Sequence, residues 1–107
     1  MKTYAVIFTF VPNAVERRQP YRQAHLEYIG GLRDAGRIVM SGPWADPLDG
    51  ALMVFRAESL FDVEKIIHDD PYYQANLWPE IRIREWNVVM SSQAAFIAIT
   101  TENSAGS

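Results

Sequence analysis

The sequence contains no cysteine, so neither a disulfide framework nor a thiolate zinc site can organise the fold. Histidine is almost as scarce, with two in 107 residues, which leaves little for a dedicated metal site. Long apolar runs are missing too: Tyr4–Val11 is the longest obvious one, far short of the roughly 20 residues that cross a bilayer. Lys2 alone ahead of it makes no secretory n-region, and no small-residue cleavage site follows. Nor is there a basic excess. Ten Lys and Arg against thirteen Asp and Glu leave a net charge of −3, the wrong sign for a nucleic-acid or anionic-membrane partner. A Gly-rich phosphate loop, a Gly-x-Ser-x-Gly elbow, paired metal-binding histidines on one helix and internal repeats are all absent. The expectation is a soluble, cytoplasmic chain with neither metal nor cofactor.

What remains is an ordinary globular composition, 49% hydrophobic and 21% charged, of a length suited to one domain. Lys2 to Phe10 alternates, with Tyr4, Val6, Phe8 and Phe10 on one face and Thr3, Ala5, Ile7 and Thr9 on the other. That period of two predicts a strand ended by Pro12–Asn13. Asn13–Gln19 reads as a loop. From Pro20, a first-turn proline, the apolar spacing becomes helical: Tyr21, Ala24, His25, Tyr28, Ile29, Leu32 and Ala35, with Gly36 as the stop. Gly30–Gly31 weakens this helix, and close packing is one reason for tolerating the pair. Arg37–Met40 and Ala51–Ala57 read as a strand pair with a long connection. A second helix starts at the N-cap Ser59, carries Leu60, Val63 and Ile67 as its stripe, and ends before Pro71. Tyr72–Pro79 is irregular and aromatic-rich, and Glu80–Met90 reads as the fourth strand.

The order β-α-β-β-α-β predicts an α+β, ferredoxin-like domain over residues 1–90 with an antiparallel sheet and both helices on one face. The uncovered face is also apolar, so a homodimer of face-to-face sheets is expected. Residues 91–107 form an extension: Ala94–Thr100 is apolar and suits a strand or dimer clasp, and Thr101–Ser107 is a frayed tail.

Few residues carry chemistry. His25 lies within about 20° of the centre of its helix's apolar stripe, so its imidazole faces the sheet. Burial favours the neutral ring, the state suited to a general base; a core histidine satisfied by tyrosine or backbone has the same spacing. Asp70 closes the second helix beside Asp69, against the negative end of the macrodipole, and calls for a compensating imidazole. It also suits an ordinary Asp-Pro turn. Asp34, nine residues after His25, sits about 180° around the same helix and cannot meet it. Arg22 borders the stripe and can neutralise an anionic substrate, or serve as a surface cation. Tyr21, Tyr28, Trp44, Tyr72, Tyr73, Trp78 and Trp86 are candidates for an aromatic pocket, a core or an interface. His68 faces solvent.

Taken together, Arg22-x-x-His25-x-x-Tyr28-Ile29-x-x-Leu32-x-x-Ala35-Gly36, Ser41-Gly42-Pro43, Gly50, Ala57-Glu58-Ser59, Asp70-Pro71-Tyr72 and Ile83-Arg84-Glu85-Trp86 resemble the YciI-related (YCII) family over roughly residues 2–90. The resemblance implies a ferredoxin-like fold dimerised as an α/β barrel. It also implies a His–Asp active centre, carried here by His25 and Asp70. At least one family member eliminates hydrogen chloride from a chlorinated hydroxyhydroquinone. The resemblance therefore points to a cofactor-free enzyme acting by elimination or isomerisation on a small cyclic or aromatic ligand. Arg22, Tyr28, Ser41, Gly42, Pro43 and Tyr72 are its expected substrate contacts. Backbone amides near Ser41–Gly42 are candidates to meet a developing oxyanion. The alternatives are a cofactor-independent monooxygenase of the same barrel type and a non-catalytic small-molecule-binding or assembly module. Two departures stand out: Asn76 where the family usually has glycine, and the tail after Met90.

Overall fold

The computed structural model describes residues 1–92. The alternating segment Lys2–Thr9 forms β1, which pairs antiparallel with β3 (Gly50–Ala57) on one side and β4 (Glu80–Glu85) on the other. β2 (Ile38–Pro43) pairs antiparallel with β3, giving the sheet order β2-β3-β1-β4 of the ferredoxin-like fold. Tyr4, Val6 and Phe8 of β1 join Met53 and Phe55 of β3 in one buried core. The same core takes in Val63 and Ile67 of the later helix and, from its edge, Ile29 and Leu32 of the earlier one. Both long helices therefore cover one sheet face. Each fully buried side chain of this size contributes about 1.5–3 kcal/mol. On the other face Thr3 and Val54 are buried, and Ile7 is 39% exposed.

Several boundaries differ from the sequence reading for identifiable reasons. Asn13–Gln19 is not all loop: Ala14–Arg17 forms a one-turn helix, α1, and α2 runs from Gln19 to Asp34. Ala14 is buried and Glu16 and Arg17 face out, but one turn is too short for a period to show. β2 continues through Gly42–Pro43 where the sequence suggested a stop at Met40. β2 is an edge strand, where a proline's missing N–H leaves no ladder bond unmade. β4 ends at Glu85 rather than Met90. The Trp86 N–H still bonds the Thr3 carbonyl at 2.8 Å, after which Val88 packs against Val39 of β2. In α3 (Leu60–His68), Ser59 accepts the Asp62 N–H as the expected cap, but Leu60 is 49% exposed and leaves the stripe to Val63 and Ile67. Gly30 and Gly31 are not explained by close packing, since a Cβ at Gly31 would meet nothing within 4 Å. The expectations for Ala94–Thr100 and Thr101–Ser107 lie outside the described residues.

Two left-handed residues end the helices that bear the site. Gly36, at φ 73°, closes α2, with its N–H on the Arg33 carbonyl and the Arg37 N–H on the Leu32 carbonyl. Asn76, at φ 57°, does the same for α4 (Pro71–Gln74), with the Leu77 N–H reaching back to the Tyr72 carbonyl at 3.1 Å. The residue that departs from the family's usual glycine thus keeps the backbone conformation, because asparagine tolerates this region better than other side chains. Asn76→Ala is expected to lower stability by about 1 kcal/mol, with Asn76→Gly as stable as the parent or more so. Urea unfolding midpoints check this, and an unmoved midpoint in the alanine variant would contradict it.

Candidate active site

His25 is the one buried residue of α2. Its Nδ1 lies 2.8 and 3.0 Å from the two carboxylate oxygens of Asp70, a pair 8% and 4% exposed at their side chains. Asp70 reaches this position because it caps the single turn that follows α3. Its backbone is extended, as the residue before a proline must be, Pro71 opens the turn, and Oδ1 accepts the Tyr72 N–H at 2.8 Å. That turn also lays the Tyr72 ring flat on the imidazole, at 3.8 Å between centroids and 4° between planes. Asp-Pro-Tyr thus fixes the histidine twice, by its edge and by its face. Trp78 stands edge-on to both rings, 6.1 Å from His25 and 5.9 Å from Tyr72, and packs on Phe8 at 4.1 Å.

The carboxylate can only accept, so the hydrogen-bond pattern assigns a proton to Nδ1; in the neutral ring the lone pair is then on Nε2. Nδ1 carries all of the imidazole's hydrogen bonds among the described residues. His25 also lines a cavity of about 150 Å³, a volume that in a protein core holds one benzene molecule. The sheet side of the cavity comes from Ala51 and Met53 of β3 and, through their register with Pro43 and Ser41, from β2. The helix side comes from Arg18, Arg22, Leu26 and Ile29, and Phe10, Tyr72 and Trp78 complete the wall. Three donors in that wall are buried without a partner among the described residues: Arg18 Nε, the Tyr72 hydroxyl and Trp78 Nε1. Such groups are costly in a folded protein and mark a place where polar pairing is incomplete.

The structure therefore gathers His25, Arg22, Ser41, Gly42, Pro43 and Tyr72 around one cavity, with Asp70 behind the imidazole. Tyr28 does not join them. Its hydroxyl donates to the Ile66 carbonyl at 2.7 Å and ties α2 to α3. Of the other aromatic candidates, Trp78 lines the cavity, whereas Tyr21, Trp44 and Trp86 are more than 40% exposed and Tyr73 stacks on His68. Asp34 is exposed and pairs with Arg33. The sequence reading missed Arg18 and Phe10 as wall residues. Arg18 was legible as the position one turn before Arg22, had the helix been started earlier; Phe10, just past β1, was legible as part of the apolar alternating face but not as a cavity wall.

Tyr28 also gives the site a pH signature. Burial first, then the charges of Asp69 and Asp70, push its phenol up from 10.0 to about 12. A group held protonated by the fold contributes stability that is complete below its unfolded value near 10 and is lost as pH rises through the folded value. Unfolding free energy is therefore expected to decline between pH 10 and 12, and Tyr28→Phe to remove that part of the slope. Identical slopes for the two proteins would contradict the assignment.

The sheet order and the helices on one face make a ferredoxin-like α+β domain, with the cavity lined by His25 lying between the sheet and α2 and Asp70 behind the imidazole. Residues 2–87 match the YCII-related domain, and the chain belongs to that family. It is 31% identical over 70 residues to the uncharacterised protein YjpA of Bacillus subtilis strain 168, a match covering 65% of this chain and 80% of that one. Its structure is similar to 5-chloro-2-hydroxyhydroquinone dehydrochlorinase (TftG) from Burkholderia phenoliruptrix AC1100, solved in complex with 2,5-dihydroxybenzoquinone. The TM-score is 0.71 at 22% identity over 78% of this chain and 92% of that one. An antibiotic biosynthesis monooxygenase is similar at TM-score 0.51 and 9% identity, over 84% of this chain and all of that one. At these identities the structural likenesses show the shared fold.

Proposed function

We propose that this protein is an enzyme performing acid–base chemistry on a small cyclic or aromatic molecule, by elimination or isomerisation, with His25 as the base and Asp70 as its orienting partner. The observation that carries this reading is the Nδ1 contact with Asp70, which leaves Nε2 as the free nitrogen of a cavity-lining ring. Nε2 takes a proton from a ring carbon or hydroxyl of the substrate. The released electron pair expels a leaving group or shifts along the ring, and the imidazolium returns its proton to product or solvent. Asp70 keeps the tautomer and stabilises the imidazolium while it lasts. Ser41 and Gly42 offer polar groups toward the charge that develops on substrate oxygen. The similarity to TftG, whose bound molecule is a single six-membered ring, supports a ring substrate. The reading includes a homodimer in which a second copy covers the helix-free sheet face, exposed Ile7 included.

A thermal-shift screen of hydroxylated and ketonic single-ring compounds tests it, followed by NMR of each hit in D2O. Hits are expected to be converted, or to exchange a ring proton for deuterium, at a rate that falls about a hundredfold or more in His25→Ala. Ligands that bind but never exchange or react would support the binding-module alternative.

A further inference from the structure

The cavity wall carries an electrostatic arrangement that the fold does not ask for. Arg18, the residue that leads into α2, and Arg22 in its first turn are four residues apart, with His25 three residues further on. Like charges at this spacing destabilise a helix. Their place at its N-terminal end, where the first turn holds no acidic residue, sets them against the macrodipole as well. Among the described residues neither guanidinium is engaged by a carboxylate, and Arg18 Nε is buried without a hydrogen-bond partner. Yet both side chains line the cavity, whose wall contains no aspartate or glutamate. Local rules broken together around a cavity, without compensation inside the protein, are the pattern expected of a ligand site.

The remaining polar inventory has the same sense. The Tyr72 hydroxyl and Trp78 Nε1 are unpartnered; the indole N–H can only donate. The side-chain groups around the cavity are thus mainly donors and cations, and His25 Nε2 is the position for an acidic proton. The floor of Ala51, Met53 and Ile29 is apolar.

We propose that the cavity takes a single-ring organic anion, an aryl carboxylate or a phenolate, with Arg18 and Arg22 holding its charged group and the apolar walls enclosing the ring. This rests on the cavity being the substrate site, as proposed above. It assigns specificity to two arginines, one of which the family motif does not include. The guanidinium fork suits a charged oxygen or carboxylate, and neutral rings of the same shape lose that contact.

Calorimetric titration with benzoate and 4-nitrophenolate, each against its neutral counterpart benzamide or nitrobenzene, tests the proposal. At low salt at least one anion is expected to bind about tenfold or more tightly than its counterpart. A preference confined to benzoate identifies a carboxylate ligand, and one confined to 4-nitrophenolate a phenolate. Arg18→Met and Arg22→Met are each expected to weaken the preferred anion about tenfold while leaving the neutral compound unchanged. His25→Ala is expected to keep the preference, so a failure of the acid–base reading is distinguishable from a failure of this one. Equal binding of anion and neutral compound by the parent, no binding of either anion, or equal losses for both compounds in the arginine variants would overturn it.

Discussion

Replacing His25 with alanine is expected to slow turnover by about a hundred- to ten-thousandfold, the range for removing a positioned acid–base group. The side chain has no structural substitute. It is the buried member of α2, and its ring fills the gap between Asp70, Tyr72 and the cavity. Asp70 retains its second role in the variant, since Oδ1 still caps the Tyr72 N–H, so the turn that carries the carboxylate survives. Added imidazole is expected to enter the enlarged cavity and restore part of the activity. A merely structural loss would not respond in that way. Undiminished turnover in the alanine variant would remove His25 from the chemistry.

The largest effect on stability is expected at Asp70. Alanine there removes the cap of α4, at a cost of about 1 kcal/mol, and strands the buried His25 Nδ1–H, at a further 1–3 kcal/mol or so. A total loss of about 3 kcal/mol is therefore expected in urea unfolding. Asp70→Asn separates the two roles. Its amide oxygen can still accept the Tyr72 N–H, so about 1 kcal/mol is the expected loss, but a neutral amide neither fixes the tautomer nor stabilises an imidazolium. Activity is expected to fall in both variants, whereas stability falls mainly in one. A change below about 0.5 kcal/mol for Asp70→Ala would mean that the buried contacts carry little of the fold's stability.

Much of this arrangement was legible in the sequence because long-period patterns report it. The alternation of Tyr4, Val6 and Phe8 and the helical spacing of His25, Ile29 and Leu32 both depend on burial against the core; the strand face came out as read, whereas the helix stripe is narrower than read, with Tyr21, Ala24 and Ala35 exposed. The meeting of His25 with Asp70 across 45 residues was carried by the family resemblance, with weak local support from a carboxylate at an unfavourable helix end. That support was itself incomplete. Asp70 is relieved by starting a new turn as well as by the imidazole, so the ordinary Asp-Pro turn and the contact with His25 occur together. What escaped the sequence was short or depended on the edge of the sheet. α1 and α4 are single turns, and β2 tolerates Pro43 because, among the described residues, no strand lies beyond it. Tyr28 entered the expected substrate contacts through the family resemblance, and its place in the apolar stripe says nothing of the carbonyl on α3 that its hydroxyl finds.

The central claim is that Asp70 holds the His25 proton on Nδ1 and leaves Nε2 free toward the cavity. Nitrogen-15 shifts of the imidazole, read from long-range correlations to its ring protons, test that directly. The expected result is an N–H type shift at Nδ1 and a lone-pair type shift at Nε2, collapsing to a mixture of tautomers in Asp70→Ala. The opposite assignment, with the proton on Nε2 in the parent protein, would contradict it.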